Sequence, residues 1–204
     1  MIDGGKVNHQ CPTSKAIGYF LEGAAMLAPF AKRPLLLTLT GVTNNEDDPS
    51  VDVIRTVTLP MLAKFGLEGE TELKITKRGS VPLGGGEVFF RCPTVRSMEP
   101  VKLLNMGRVK RVRGIAYSTR VSPQTANRVV DAARGVLNKL LPDVYIYTDH
   151  FRGADAGLSP GFGLSLCAES TTGALSGAEC VARPGELPED LGKRAAWLML
   201  EEIR

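Results

Sequence analysis

The chain has 204 residues, 43% hydrophobic and 23% charged, with 25 basic and 22 acidic side chains and a net charge of +3. These proportions exclude a disordered tail, a collagen-like fibre and a coiled coil, and the length allows one large domain or two small ones. Aromatic residues make up only 6%, so aliphatic side chains must fill the core. In chain order, the spacing of Ile17, Phe20, Leu21, Ala24 and Leu27 predicts a helix over 14–27, capped by Thr13 or Ser14. The apolar run 34–40 reads as a strand buried on at least one face. A turn at 44–49 leads to a helix from Ser50 to about residue 64, stopped by Gly66 and kinked by Pro60.

Strands are expected at 72–77 and 87–92, joined by a Gly-rich loop, with a third at 100–104. Residues 109–118 read as a strand. Ser122-Pro123 opens a helix whose apolar face carries Ala126, Val129, Val130, Ala133, Val136, Leu137 and Leu140, and Pro142 ends it. Strands at 143–148 and 164–169 follow. A last helix runs from Leu187-Pro188 to about residue 203, with Leu191, Ala195, Leu198 and Ile203 inward. Interspersed helices and strand groups predict an α+β fold, and 106–175 reads as its own β-α-β-β unit.

The four cysteines are widely spaced and form no CxxC pair, which argues for reduced, buried thiols rather than disulfides or zinc. No signal peptide is legible, and the longest apolar stretch, 23–30, falls far short of the roughly 18 residues a membrane span needs. The expectation is a soluble protein that is neither secreted nor membrane-spanning.

Charge distribution is the clearest chemical signal. Over 102–139 lie nine basic residues (Lys102, Arg108, Lys110, Arg111, Arg113, Arg120, Arg128, Arg134 and Lys139) and one acid, Asp131, a local balance of +8. Such a stripe fits a polyanion, most often RNA or DNA; the alternative is a solvated face balanced by acids elsewhere in the fold. Few aromatics interleave with the charges, which favours phosphate contact over base stacking. Other features are weaker. Gly84-Gly85-Gly86 could cradle a phosphate, yet no GK[ST] follows and a strand comes next, so a hairpin turn is the simpler reading. Asp47, Asp48 and Asp52 could bind a divalent metal, but Asp48 and Asp52 equally suit the start of the following helix. His9 and His150 are the only imidazoles, and Asp149-His150 adjacency orients no base, since neighbouring strand residues face opposite ways.

Several stretches together resemble a known family. They include Gly18-Tyr19-Phe20-Leu21-Glu22, Gly41-Val42-Thr43-Asn44, Asp48-Pro49-Ser50-Val51-Asp52, Gly84-Gly85-Gly86-Glu87-Val88, Arg120-Val121-Ser122-Pro123-Gln124, the run from Tyr145 to His150, and Ser159-Pro160-Gly161-Phe162-Gly163-Leu164. In order and number these are similar to the RNA 3'-terminal phosphate cyclase superfamily, more closely its cyclase-like branch of eukaryotic nucleolar proteins. The resemblance implies a large domain of repeated β-α-β-α-β-β units, partial here, over 1–105 and 176–204. A small β-α-β-β domain would be inserted at 106–175. It further implies a non-catalytic ribosome biogenesis factor of the small-subunit processome. That factor would act with pre-rRNA, a partner GTPase and other processome proteins toward 18S rRNA in the nucleolus, with no membrane and no cofactor. True cyclases in the superfamily use a histidine that becomes adenylylated, and neither His9 nor His150 occupies its place. An enzyme, either an RNA 3'-phosphate cyclase or an endoribonuclease, is the alternative. The resemblance covers roughly the middle half of a family chain. No catalytic or metal residue is assigned, and the expected RNA contacts are Arg108, Lys110, Arg111, Arg113, Arg120 and Arg128.

Overall fold

The Leu-Leu-Leu-Thr-Leu-Thr-Gly run forms strand β2 (Leu35–Gly41), with Leu35, Leu37 and Leu39 buried and the residues between them half-buried. This alternation puts the leucines on one face of a sheet. The computed structural model describes residues 2–67 and 71–204. They fall into two units, Met1–Lys102 with Gly153–Ser159, and Leu103–Arg152 with Pro160–Arg204.

The first unit begins with β1 (Gly5–Gln10) and α1 (Ile17–Leu27) ahead of β2. After β2 come the short helix α2 (Val51–Val53), a π-helical turn Ile54–Thr58, α3 (Leu59–Ala63), β3 (Glu72–Lys77) and β4 (Gly86–Cys92). The sheet order is β1-β2-β4-β3; β1 runs parallel to β2, and β4 is antiparallel to both neighbours. Ile17, Leu21 and Ala25 of α1 join Leu37, Leu39, Val88 and Phe90 in one core. Each such fully buried aliphatic or aromatic side chain contributes on the order of 1.5–3 kcal/mol.

Three features are not what the spacing alone implied. Ahead of Pro60 the helix widens into a π turn, the Leu59 N–H bonding to the Ile54 carbonyl five residues back. A proline has no N–H to offer the carbonyl four residues earlier, and a π turn absorbs that mismatch within a continuing helix. No strand forms at 100–104, because Leu104 is 93% exposed and the apolar run finds neither burial nor a partner strand. Strand β1 gave no sequence signal, since all but Gly5 of its residues are exposed and its composition is polar.

The second unit holds β5 (Val109–Thr119), α4 (Pro123–Leu137), β6 (Val144–Phe151), β7 (Gly161–Ser170), β8 (Leu175–Val181) and α5 (Pro188–Glu202). Its sheet order is β6-β5-β7-β8, with β6 parallel to β5 and the other pairs antiparallel. Ser122 caps α4 by accepting from the Gln124 N–H, and Pro123 takes the first helical position. The helix ends at Leu137, so Leu140 lies beyond it and is 67% exposed rather than packed. Both helices cover one sheet face: Val129, Ala133, Leu191, Ala195 and Met199 share a core with Val112, Ala116, Ile146, Leu164 and Leu166. The expected boundary at 175 falls between β7 and β8 of this sheet, and both β8 and α5 belong to its core.

Close approach of α4 and α5 depends on Gly192, where a Cβ would come 2.4 Å from the Val129 carbonyl oxygen and 3.0 Å from the Ala132 Cβ. Gly192→Val is expected to push the helices apart and to cost about 1–3 kcal/mol, the range for overpacking a filled core. A thermal melt of the variant followed by circular dichroism checks this, and an unchanged melt refutes it.

Candidate nucleic-acid interface

Strand β5 carries three of the nine basic residues of the stripe, Lys110, Arg111 and Arg113, and its alternation sorts these charges. Val112 and Ala116 are buried under the helices, so Arg111 and Arg113 stand on the opposite face. There each meets an acid from elsewhere in the chain. Arg111 Nε donates to Glu169 Oε2 at 2.6 Å, across the β5–β7 register that pairs the two residues. Arg113 donates through both terminal nitrogens to the Asp143 carboxylate at 2.8 and 2.9 Å. This hydrogen-bonded pair holds the Asp143 carboxyl below its ordinary value and raises the already high value of Arg113. Arg128, on α4, forks onto Glu189 of α5 at 2.6 and 2.8 Å, and its hydrogen bonds hold the Glu189 carboxyl down.

The six expected RNA-binding residues therefore do not form one patch. Arg108, Lys110, Arg111 and Arg113 cluster at the start of β5. Arg120, exposed in a left-handed backbone conformation (φ 53°), follows its far end. An 11-residue strand separates the two ends by about 35 Å. Arg128 lies on the helical side. Among the described residues, Arg108, Lys110, Arg134 and Lys139 are exposed and carry no ion pair. The second unit holds 13 basic and 10 acidic residues, a balance of +3, whereas the first holds 12 of each. Lys102 belongs to the first unit, so the stripe brings +7 to the second, where acids offset it to +3, and the whole surplus of the chain stays there.

Tertiary pairing also brings aromatics that the basic segment itself lacks. The parallel register sets Arg113 beside Tyr145 and Ile115 beside Tyr147. Val144 and Ile146 point into the core, so the two tyrosines share the face of Arg113. They are 54% and 55% exposed, and their rings meet edge to face at 4.5 Å. The alternating Val-Tyr-Ile-Tyr of β6 was the signal for this face; its position some thirty residues after Arg113 concealed the proximity.

The features considered for phosphate and metal binding serve the fold of the first unit. A Cβ on Gly84 would meet the Gly41 carbonyl at 2.9–3.0 Å, one on Gly85 the Leu158 side chain at 2.9 Å, and one on Gly86 the Gly79 nitrogen at 2.6 Å. The glycine loop is packed against its neighbours on these sides rather than opened as a cradle. Asp48 accepts from the Ala16 N–H at 2.8 Å, at the start of α1, and from Lys15 and Asn45. Ser50 caps α2 by accepting from the Val53 N–H, and Asp52 sits in the first turn of that helix. Asp52 is buried against Arg78, while Asp47 is exposed, so the three carboxylates do not converge on a common point. His9 contacts the Phe20 ring at 5.5 Å, and His150 Nδ1 lies 2.8 Å from Ser118 Oγ. All four cysteines are buried and unlinked, and burial pushes the Cys92, Cys167 and Cys180 thiols up to about 11. Among the described residues, no helix is long and apolar enough to cross a membrane.

Comparison with known proteins agrees with these motifs. The insert domain of RNA 3'-terminal phosphate cyclase matches residues 104–204, which takes in all of the second sheet and both of its helices. An RNA 3'-terminal phosphate cyclase-like protein of Homo sapiens is 54% identical over 209 residues, covering 100% of this chain and 56% of the relative. A probable member from Dictyostelium discoideum is 49% identical over 219 residues, covering 100% of this chain and 59% of the relative. An rRNA processing protein of Schizosaccharomyces pombe is 54% identical over 204 residues, covering 99% of this chain and 56% of the relative. The chain spans about half the length of the curated relatives it matches. With that identity sustained from one end of the chain to the other, it belongs to the RNA 3'-terminal phosphate cyclase-like family.

Proposed function

We propose that the chain is part of a non-catalytic rRNA-processing factor. It acts in the nucleolus within the small-subunit processome, on pre-rRNA on the way to 18S rRNA, together with a partner GTPase. The observation that carries this reading is the match to the rRNA processing protein of Schizosaccharomyces pombe over 99% of the chain. The second unit supplies the RNA contacts, through exposed cations that form no ion pair among the described residues: Arg108, Lys110, Arg134 and Lys139. Arg111, Arg113 and Arg128, each paired with its own carboxylate, add no net charge to these contacts. A non-catalytic role is supported by the engagement of two of the three acids weighed as metal ligands, Asp48 with Ala16 and Lys15 and Asp52 with Arg78.

Reversing Arg108, Lys110, Arg134 and Lys139 to Glu tests the reading. Binding to structured RNA at physiological salt is expected to fall at least tenfold, and the log–log salt slope to flatten by about 0.7–0.9 for each phosphate no longer neutralised. Unchanged affinity and slope would remove phosphate contact as their role. In cells, crosslinked RNA is expected to concentrate in pre-rRNA near the 18S boundaries; reads at the 3' ends of other processed RNAs would favour the cyclase alternative.

A further inference from the structure

We propose that Tyr145 and Tyr147 form a stacking platform for the unpaired bases of single-stranded RNA, with the Arg113 guanidinium as the third planar surface. This rests on the RNA-binding reading above and adds to it a site, a strand state and a mode of contact. Three observations carry it. The tyrosines are more than half exposed on the sheet face that α4 and α5 leave uncovered, while Val144 and Ile146 anchor the same strand in the core. The two rings meet edge to face at 4.5 Å, so together they present one continuous aromatic surface to a base. Beside them, the bidentate Asp143 contact fixes Arg113 as an oriented plane, which suits it to stacking as well as to charge.

Charge complementarity favours a polyanion at this end of the sheet. The Val112 N–H bonds to the Asp143 carbonyl, which ties the start of β5 to the loop after α4. Lys110 and Lys139, from those two segments, carry no ion pair among the described residues. Arg111 and Arg113, by contrast, are already matched by Glu169 and Asp143. The platform itself therefore has no charge surplus, and its contribution comes from stacking rather than counterion release. A duplex, whose bases are already stacked on one another, gains nothing from it.

The test is the double variant Tyr145→Ala/Tyr147→Ala in the 204-residue chain, titrated with an oligouridylate and with an RNA duplex of equal length. Single-strand affinity is expected to fall roughly tenfold or more, with duplex affinity and the salt slope unchanged. Tyr145→Phe/Tyr147→Phe is expected to stay within about twofold of the parent, because the rings remain. In the unaltered chain, photocrosslinking of a thiouridine-containing oligonucleotide is expected to label the β6 peptide, which guards against a folding defect in the alanine variant. Unchanged single-strand affinity overturns the proposal, as a face that serves a protein partner would show, and so does an equal loss for the duplex. If the charge reversals weaken binding and the tyrosine variants do not, the platform alone falls; if the unaltered chain binds no RNA, the function proposed above falls with it.

Discussion

Asp52→Ala is expected to destabilise the first unit by about 3–5 kcal/mol, the range for removing one partner of a buried ion pair. Asp52 and Arg78 are both fully buried, and the guanidinium forks onto the carboxylate at 2.7 and 2.8 Å. Asn44 donates to the same carboxylate at 3.1 Å and Arg55 at 3.3 Å, so the site is close to saturated with donors. Truncating Asp52 leaves a guanidinium in the interior with no counter-charge. Replacing both partners with apolar residues, as in Asp52→Leu/Arg78→Met, should cost less than Asp52→Ala, because the uncompensated charge goes with the pair. Urea unfolding of the three chains measures both effects; a double variant as unstable as Asp52→Ala would mean that the pair's geometry, not the stranded charge, sets the cost. The pH dependence follows from the same site. Burial alone would push the Asp52 carboxyl up, but the charge and hydrogen bonds of Arg78, with Asn44 and Arg55, outweigh it and hold the carboxyl below the carboxylate range. A carboxyl depressed in the folded state stabilises fully above its unfolded value near 4. That stability is lost as pH falls below it toward the folded value, and Asp52→Ala should flatten the acid limb accordingly.

Gly79→Ala is expected to be as damaging, for a different reason. A Cβ at this position would lie 2.2 Å from the Gly86 nitrogen, 2.5 Å from the Gly41 carbonyl oxygen and 2.7 Å from the Gly84 carbonyl carbon. All three are backbone atoms, so no side chain can rotate away. The expected loss is about 3 kcal/mol or more, at or beyond the upper end of ordinary overpacking. In a protein of this size that lowers the melting temperature by roughly 6–12 °C. Gly23→Ala is the control: it sits in α1 with nothing within 4 Å of its Cβ and should raise stability by up to about 1 kcal/mol through helix propensity. Melting curves that move the same way in both variants would refute the packing argument.

Much of the fold was legible because its signals are local. The alternating leucines of β2, the Ser122-Pro123 opening of α4 and the apolar face from Ala126 to Leu137 each satisfy a rule within a dozen residues. β1 and β8 were not legible. An exposed polar edge strand has no alternation to show, and the Gly and Ala of β8 lower its strand propensity. The site was legible only in part. The basic run is visible in the chain, but the acids that offset it arrive from 30 to 61 residues away, as Asp143, Glu169 and Glu189 do. The tyrosines that flank Arg113 arrive by strand pairing in the same way. The buried Asp52–Arg78 pair joins residues 26 apart in the chain, which no motif spacing discloses.

The route of the backbone has a consequence for how the molecule comes into being. It leaves the first unit after Lys102, returns for Gly153–Ser159 and departs again. Those seven residues are not filler: the Arg78 N–H bonds to the Asp155 carbonyl, the Leu158 N–H to the Gly84 carbonyl and the Leu83 N–H to Ser159 Oγ. During synthesis at roughly 5–20 residues per second, the glycine loop therefore waits several seconds for the strip that closes over it. Over that interval the loop lacks the hydrogen bonds that the strip supplies, and the first unit is completed only after most of the second has been made.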